Sequence, residues 1–325
     1  MSTNLTMAEL SLQRGDTDRA RQFLEKRISQ GASDFKTLNL YGVALSQNRI
    51  FDNGATIFRR LLAGTLTPGE RARASFNLAL VLFYQDLSVE GDLSISHSMH
   101  SRPGTILPVQ RPQPFGRSVE IWDSMLRRRH KQQDIIHTYL AFVCYQLGYL
   151  EHALGHIAAA LNHNEGFYIT HFVLSRVFTD LFLLSAEGNN FSLTQQTLSF
   201  FEIEKYELAY EEKGERFVVN RDTLLDIALQ SLLDARELSP LTASIYLGMS
   251  DVYLYAGLIE DAFEALAHAE ALTPNSLTVL EQGLRLHECV RSGPANIRNL
   301  LNRIKLAKRR DPIEVYQIVP SYYML

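Results

Sequence analysis

The stretch Tyr246-Leu-Gly-Met-Ser-Asp-Val-Tyr253-Leu-Tyr-Ala-Gly257-Leu-Ile-Glu-Asp-Ala262-Phe-Glu-Ala-Leu266-Ala-His-Ala269-Glu-Ala-Leu-Thr-Pro274 carries two apolar stripes at helical spacing on either side of a glycine. Its small residues, Ser250, Ala262 and Ala269, fall where two helices must approach closely. Tyr246, Met249, Tyr253 and Leu266 fill the space between them, and Gly257 sits at the turn. The stretch therefore reads as a helix pair. At an offset of about 34 residues it repeats: Ala228 lies over Ala262, Leu232 over Leu266, Ala235 over Ala269 and Pro240 over Pro274. The same offset at the other end places Ala8 over Gly42, Ala20 over Gly54 and Leu24 over Phe58.

These residues resemble the tetratricopeptide repeat (TPR), whose pattern is an aromatic residue, Leu-Gly, Tyr, Ala, a large apolar residue, Ala and Pro. Residues 134–167 match it again through Leu140, Ala141, Gly148, Ala153, Ile157 and Ala160, with Cys144 in place of the usual Tyr. Six or seven such units cover nearly the whole chain. The resemblance implies an all-α fold, an α-solenoid of helix-turn-helix repeats forming a TPR-like superhelix. Length alone would point to two globular domains, but stacked repeats share one core, so residues 1–325 are expected to form a single solenoid.

The period breaks in two places. In the third unit, helix A is legible from Ala74 to Tyr84, but helix B is delayed to Gly116–Arg129. Residues 87–115 between them, with Pro103, Pro108, Pro112 and Pro114, are expected to be a flexible inserted loop, either a tolerated surface insertion or a binding segment. In the fifth unit, residues 186–222 separate helix A at Phe167–Ser185 from helix B at Thr223–Leu238. Phe200, Phe201, Ile203, Tyr206, Phe217 and Val218 give this insertion enough apolar mass to be ordered, with a β-hairpin as one reading and a helical start at Leu193–Ser199 as another. It either braces the solenoid or covers a binding surface. Residues 277–310 read as a last helix pair ending in a basic cap. The apolar tail, 311–325, is expected to fold back along the last helices or to dock on a partner.

Composition narrows the function. The 325 residues are 46% hydrophobic and 21% charged, a balance that excludes disorder along the whole chain. A net charge of −4 offers no basic field for phosphate backbones, so nucleic acid is not an expected partner. The two cysteines, Cys144 and Cys289, cannot form a disulfide framework. No basic, apolar leader opens the sequence, and the most apolar run, Phe172–Leu184, is too short and too polar to span a bilayer. A cytoplasmic location without membrane insertion is expected.

In a TPR array the A helices line the concave face. The resemblance thus implies a groove lined by Phe76, Asn77, Leu80, Phe83 and Tyr84 from the third unit. Tyr139, Phe142 and Tyr145 join it from the fourth, and Phe172 and Arg176 from the fifth. So many aromatic residues imply a greasy groove for an apolar helix or extended peptide, unless the insertions or the tail fill it. The family's carboxylate clamp is not matched, since of Leu5, Glu9, Leu40, Arg73 and Asn77 only Arg73 carries the charge such a clamp needs. His152, His156 and His163 share one helix, but no carboxylate or thiol completes a metal set, and surface or packing roles are expected. No phosphate-binding glycine loop, nucleophile elbow or spaced acid pair is present. The expectation is a non-enzymatic interaction scaffold or chaperone-like adaptor, without metal or cofactor, whose partner is a protein or peptide. The alternative is a structural subunit of a larger assembly that uses its insertions, convex face and tail.

Overall fold

The computed structural model describes residues 3–13, 16–97, 115–186, 193–201, 205–211, 214–219, 221–274, 276–291 and 293–310. They fall into two compact units, one up to Lys131 and the other beginning at Gln132. The first unit contains α1 (Thr3–Gln13), α2 (Thr17–Ser29), α3 (Phe35–Gln47), α4 (Phe51–Ala63), α5 (Pro68–His97) and α6 (Gly116–Arg127). Consecutive helices pack as the pairs α1/α2, α3/α4 and α5/α6.

The second unit contains α7 (Gln133–Gln146), α8 (Leu150–His163), α9 (Tyr168–Ala186), α10 (Gln195–Phe200), β1 (Lys205–Glu211), β2 (Gly214–Val219) and α11 (Arg221–Leu238). It continues through α12 (Ala243–Tyr255), α13 (Ile259–Leu272), α14 (Leu277–Cys289) and α15 (Pro294–Arg310). Its pairs are α7/α8, α9/α11, α12/α13 and α14/α15. The second insertion thus sits inside a pair. It consists of the short α10 and two antiparallel strands that match Leu208 with Phe217 and Glu211 with Gly214. Its α10 packs on α8, the Thr194 amide donates to Glu151 Oε1 at 3.2 Å, and the Phe201 ring meets Phe178 edge-on at 5.6 Å.

In the α3/α4, α7/α8, α12/α13 and α14/α15 pairs the turn from first to second helix passes through a left-handed residue, Arg49 (φ +59°), Gly148 (+78°), Gly257 (+77°) and Arg291 (+51°), and Arg129 (+51°) adopts the same conformation after α6. After α12, the Gly257 amide donates to the Leu254 carbonyl and the Leu258 amide to the Tyr253 carbonyl, which satisfies the orphan groups of the helix end. After α3, Arg49 and Ile50 make the same two bonds to Ser46 and Leu45. The sequence therefore marks only some of these turns with glycine. The starts of α3 and α5 in the first unit are capped by side chains: Asp34 accepts from the Thr37 amide, and Thr67 and Glu70 form a reciprocal capping box around Pro68.

Close approach explains the small residues. A Cβ at Gly42 would stand 2.7 Å from the buried Phe58 ring, and one at Gly248 would stand 2.9 Å from Leu232. Ala262 and Ala269 are fully buried in a cluster with Leu247 of α12, and Ser250, also fully buried, accepts from Gln282 Nε2 of α14 at 3.1 Å.

The first insertion differs from the sequence expectation. Helix α5 continues to His97, so the expected loop boundary at 87 lies inside a helix. The reason is local: Pro103 is the first proline after Tyr84, and the intervening residues contain nothing that must break a helix. The start of α6 is pinned back to α5, because the Phe115 amide donates to Asp86 Oδ2 at 3.0 Å and Arg117 pairs with Asp86 Oδ1 at 3.4 Å. Residues 98–114 of that insertion and the tail 311–325 lie outside the described residues.

Candidate functional site

Of the ten side chains expected to line a groove, seven are core. Phe76, Asn77, Leu80 and Phe83 in the first unit and Tyr139, Phe142 and Phe172 in the second are each less than a tenth exposed. This corrects the expectation of a solvent-lined apolar surface at these positions. The physical cause is that first helices touch one another, α3 with α5 and α7 with α9, and bury the flanks that face each other. Asn77 Nδ2 donates to Asn39 Oδ1 at 3.1 Å across that contact, and Phe83 packs against Phe115 and Trp122. Tyr84, Tyr145 and Arg176 remain half-buried.

Tyr145 and Arg176 are brought together with residues the sequence reading passed over. On the first helices of the second unit, one row runs from Arg176 on α9 through Asp251 on α12 to Arg285 on α14. Arg176 Nη1 lies 3.5 Å from Asp251 Oδ2, and Arg285 Nη2 pairs with the other oxygen, Oδ1. Asp251 thus serves two guanidiniums with one carboxylate. A second layer closes around Arg176: Tyr145 and Asp180, the latter one turn further along α9, act on its charge. Phe142 stacks on Tyr145 at 6.0 Å, and Arg285 lies over the Tyr255 ring at 5.7 Å. Beside Tyr255 opens a hollow of about 410 Å³, where Arg221 covers the Phe182 ring at 4.4 Å.

Electrostatics separates the two arginines. Tyr145 and Asp180 hold Arg176 more firmly charged than a free guanidinium. Burial pushes the Asp180 carboxyl up, against the opposing pull of Arg176 and Tyr145. Burial also lowers Arg285, with Arg176 repelling it, and its buried Nε finds no hydrogen-bond acceptor among the described residues. The row is therefore well satisfied at one end and under-satisfied at the other. One signal in the sequence could have found it: Asp251 and Arg285 are 34 residues apart, the repeat period, so both occupy the same place on their helices.

The histidines rearrange as well. His156 faces His137 on α7, with Nδ1 to Nδ1 at 3.0 Å, and His163 stacks on His137 at 6.1 Å, while His152 meets Tyr149 instead. Burial, His156 and His163 push the His137 imidazolium down to about 4. Among the described residues no group of three or more His, Cys, Asp or Glu side chains is arranged to hold a metal ion. Among them, too, no helix is long and apolar enough to cross a membrane.

Stacked antiparallel pairs of this kind define an α-solenoid. Buried Ser250, the Ala262, Leu266 and Ala269 cluster and left-handed Gly257 make it a tetratricopeptide-repeat fold. No protein-family model matches the chain, and no curated protein matches it. Solved structures do: the human IFIT1 dimer with m7Gppp-AAAA matches at a TM-score of 0.54, with 13% identity over 90% of this chain and 55% of that one. A monomeric IFIT1 mutant with Gppp-AAAA gives 0.52, with 14% identity over 92% of this chain and 67% of that one. TTC0263, a thermophilic TPR protein in Thermus thermophilus, is 16% identical over 71% of this chain and 92% of its own, with a TM-score of 0.45.

Proposed function

We propose that this chain is a non-enzymatic protein-interaction scaffold that holds an extended segment of a partner protein against the first-helix face of its second unit. The observation that carries the reading is the half-buried row Arg176–Asp251–Arg285, bordered by Tyr145 and Tyr255, on the face that TPR arrays turn toward their ligands. Burial of Phe142 and Phe172 removes the apolar anchors first expected there. Contact would instead come from aromatic edges and guanidinium donors, groups that commonly dominate binding energy.

The capped RNA bound to IFIT1 is not carried over. Residues 132–310 contain fourteen Lys and Arg against twenty-two Asp and Glu, a field that repels a polyphosphate. The alternative, a structural subunit of a larger assembly, is favoured by apolar residues left exposed at turns, such as Tyr149, Leu241 and Leu258.

One experiment separates the two. Tyr255→Glu and Tyr149→Glu variants, each checked for unchanged helicity by circular dichroism, are expressed in the native source, and co-purifying proteins are quantified by mass spectrometry. Loss of partners with Tyr255→Glu alone supports the first-helix face, and loss with Tyr149→Glu alone supports the assembly role. Full retention by both variants sinks both readings.

A further inference from the structure

On the second-helix side of the same unit, a notch of about 620 Å³ lies between α11 and α13, floored by Tyr246, Met249 and Tyr253 of α12. Three exposed carboxylates line it, Glu237 from α11 and Asp261 and Glu264 from α13. Arg236 is the one guanidinium among the lining residues. Glu264 reaches only His268, at 4.0 Å, and Glu237 and Asp261 form no ion pair among the described residues.

The floor is fixed rather than loose. The Tyr246 hydroxyl donates to the Pro240 carbonyl at 2.9 Å, and His268 stacks on its ring at 5.3 Å. Tyr253 remains half-buried, and burial together with the negative charge of Asp261 and Glu264 pushes its hydroxyl up against the weaker opposing effect of Arg236. Next to Pro240, Leu241 is 81% exposed, the largest value among the large apolar side chains described, and Leu238 is 45% exposed. A rigid tyrosine floor, three carboxylates against a single guanidinium and an uncovered apolar rim occur together at one place. That combination complements a cation carried on an apolar stem, because ring faces and carboxylates attract the charge while methylenes cover the leucine. The acidic balance of residues 132–310 adds long-range attraction of the same sign.

We propose that this notch binds a basic, amphipathic segment of a protein partner. It seats one Lys or Arg side chain over Tyr253 between Glu237, Asp261 and Glu264, while an apolar neighbour covers Leu241. The site is distinct from the Arg176–Asp251–Arg285 row, and either reading can fail alone.

The test uses the full chain and a fluorescein-labelled octapeptide of Lys, Leu and Gly, followed by fluorescence anisotropy, with a Glu, Leu and Gly peptide as its counterpart. The Lys peptide binds and the Glu peptide does not. Asp261→Asn combined with Glu264→Gln weakens binding at least tenfold, Tyr253→Ala weakens it severalfold, and Tyr253→Phe restores it. Neutralising Asp222 and Glu288, which lie outside the notch, changes affinity less than twofold. The proposal is overturned if the Lys peptide fails to bind, if the Glu peptide binds equally, or if the control neutralisations weaken binding as much as those in the notch.

Discussion

Replacing Asp251 by Asn keeps the shape of the side chain and removes the charge that two arginines share. Asp251 is 19% exposed, Arg176 32% and Arg285 43%, so the pairs are neither fully buried nor freely solvated. At the 3.5 Å separation of Arg176 and Asp251 the gross attraction is about 5 kcal/mol at an effective dielectric constant near 20. Desolvation and screening remove most of it, and the two guanidiniums left behind repel each other, for a net loss of about 2 kcal/mol. The more exposed Arg285 contributes less than Arg176. Urea denaturation followed by circular dichroism should therefore show Asp251→Asn least stable, Arg176→Met next and Arg285→Met mildest. In a double-mutant cycle, Asp251 and Arg176 should couple by about 1 kcal/mol, and less in high salt. Hydrogen exchange should localise the loss to α9, α12 and α14. Strict additivity of the two substitutions, or a coupling indifferent to salt, would refute the shared-carboxylate account.

Gly42→Ala places a methyl group against the buried Phe58 ring, and the overpacking outweighs the gain in helix propensity to leave a loss of about 1 kcal/mol. Trp122, buried in the same unit, reports it as an earlier urea midpoint in fluorescence, and an unchanged midpoint contradicts the close contact. Thr138 and Thr170 share a buried hydroxyl contact at 2.6 Å, so Thr170→Val costs about 1 kcal/mol and the double Val variant costs less than the sum of the singles. His137 is held below its ordinary value, so the unfolded chain takes up the proton first as pH falls. Its contribution to stability is complete above about 6.5 and is lost as pH drops toward 4. His137→Phe should flatten the thermal melting temperature across that window, and an identical pH slope in both proteins counts against it.

Local signals carried much of the fold into the sequence. Small residues at Ser250, Ala262 and Ala269 and the glycine at 257 mark a helix pair because close approach and positive φ tolerate few alternatives. Turns at Arg49, Arg129 and Arg291 were invisible, since non-glycine residues adopt the same conformation once the flanking helices over-determine it. Helix α5 runs past the boundary that composition suggests, because the polar and small residues after Asp86 weaken a helix without breaking it and the next proline comes only at position 103.

The candidate site was legible only in fragments. Helical periodicity places Tyr145 and Arg176 on a first-helix face, but it cannot say which aromatic residues on that face are uncovered. That depends on how closely neighbouring first helices approach, and their contact buries Tyr139, Phe142 and Phe172 while leaving Tyr145 and Arg176 partly open. The sequence by itself thus determined the repeat, the pair geometry and the all-helical class, because these rest on local spacing and on residue size at fixed intervals. Only the tertiary structure decided the Arg176–Asp251–Arg285 row and the His137–His156 pair. Each joins side chains on different helices, and the distances between them are set by packing rather than by position along the chain.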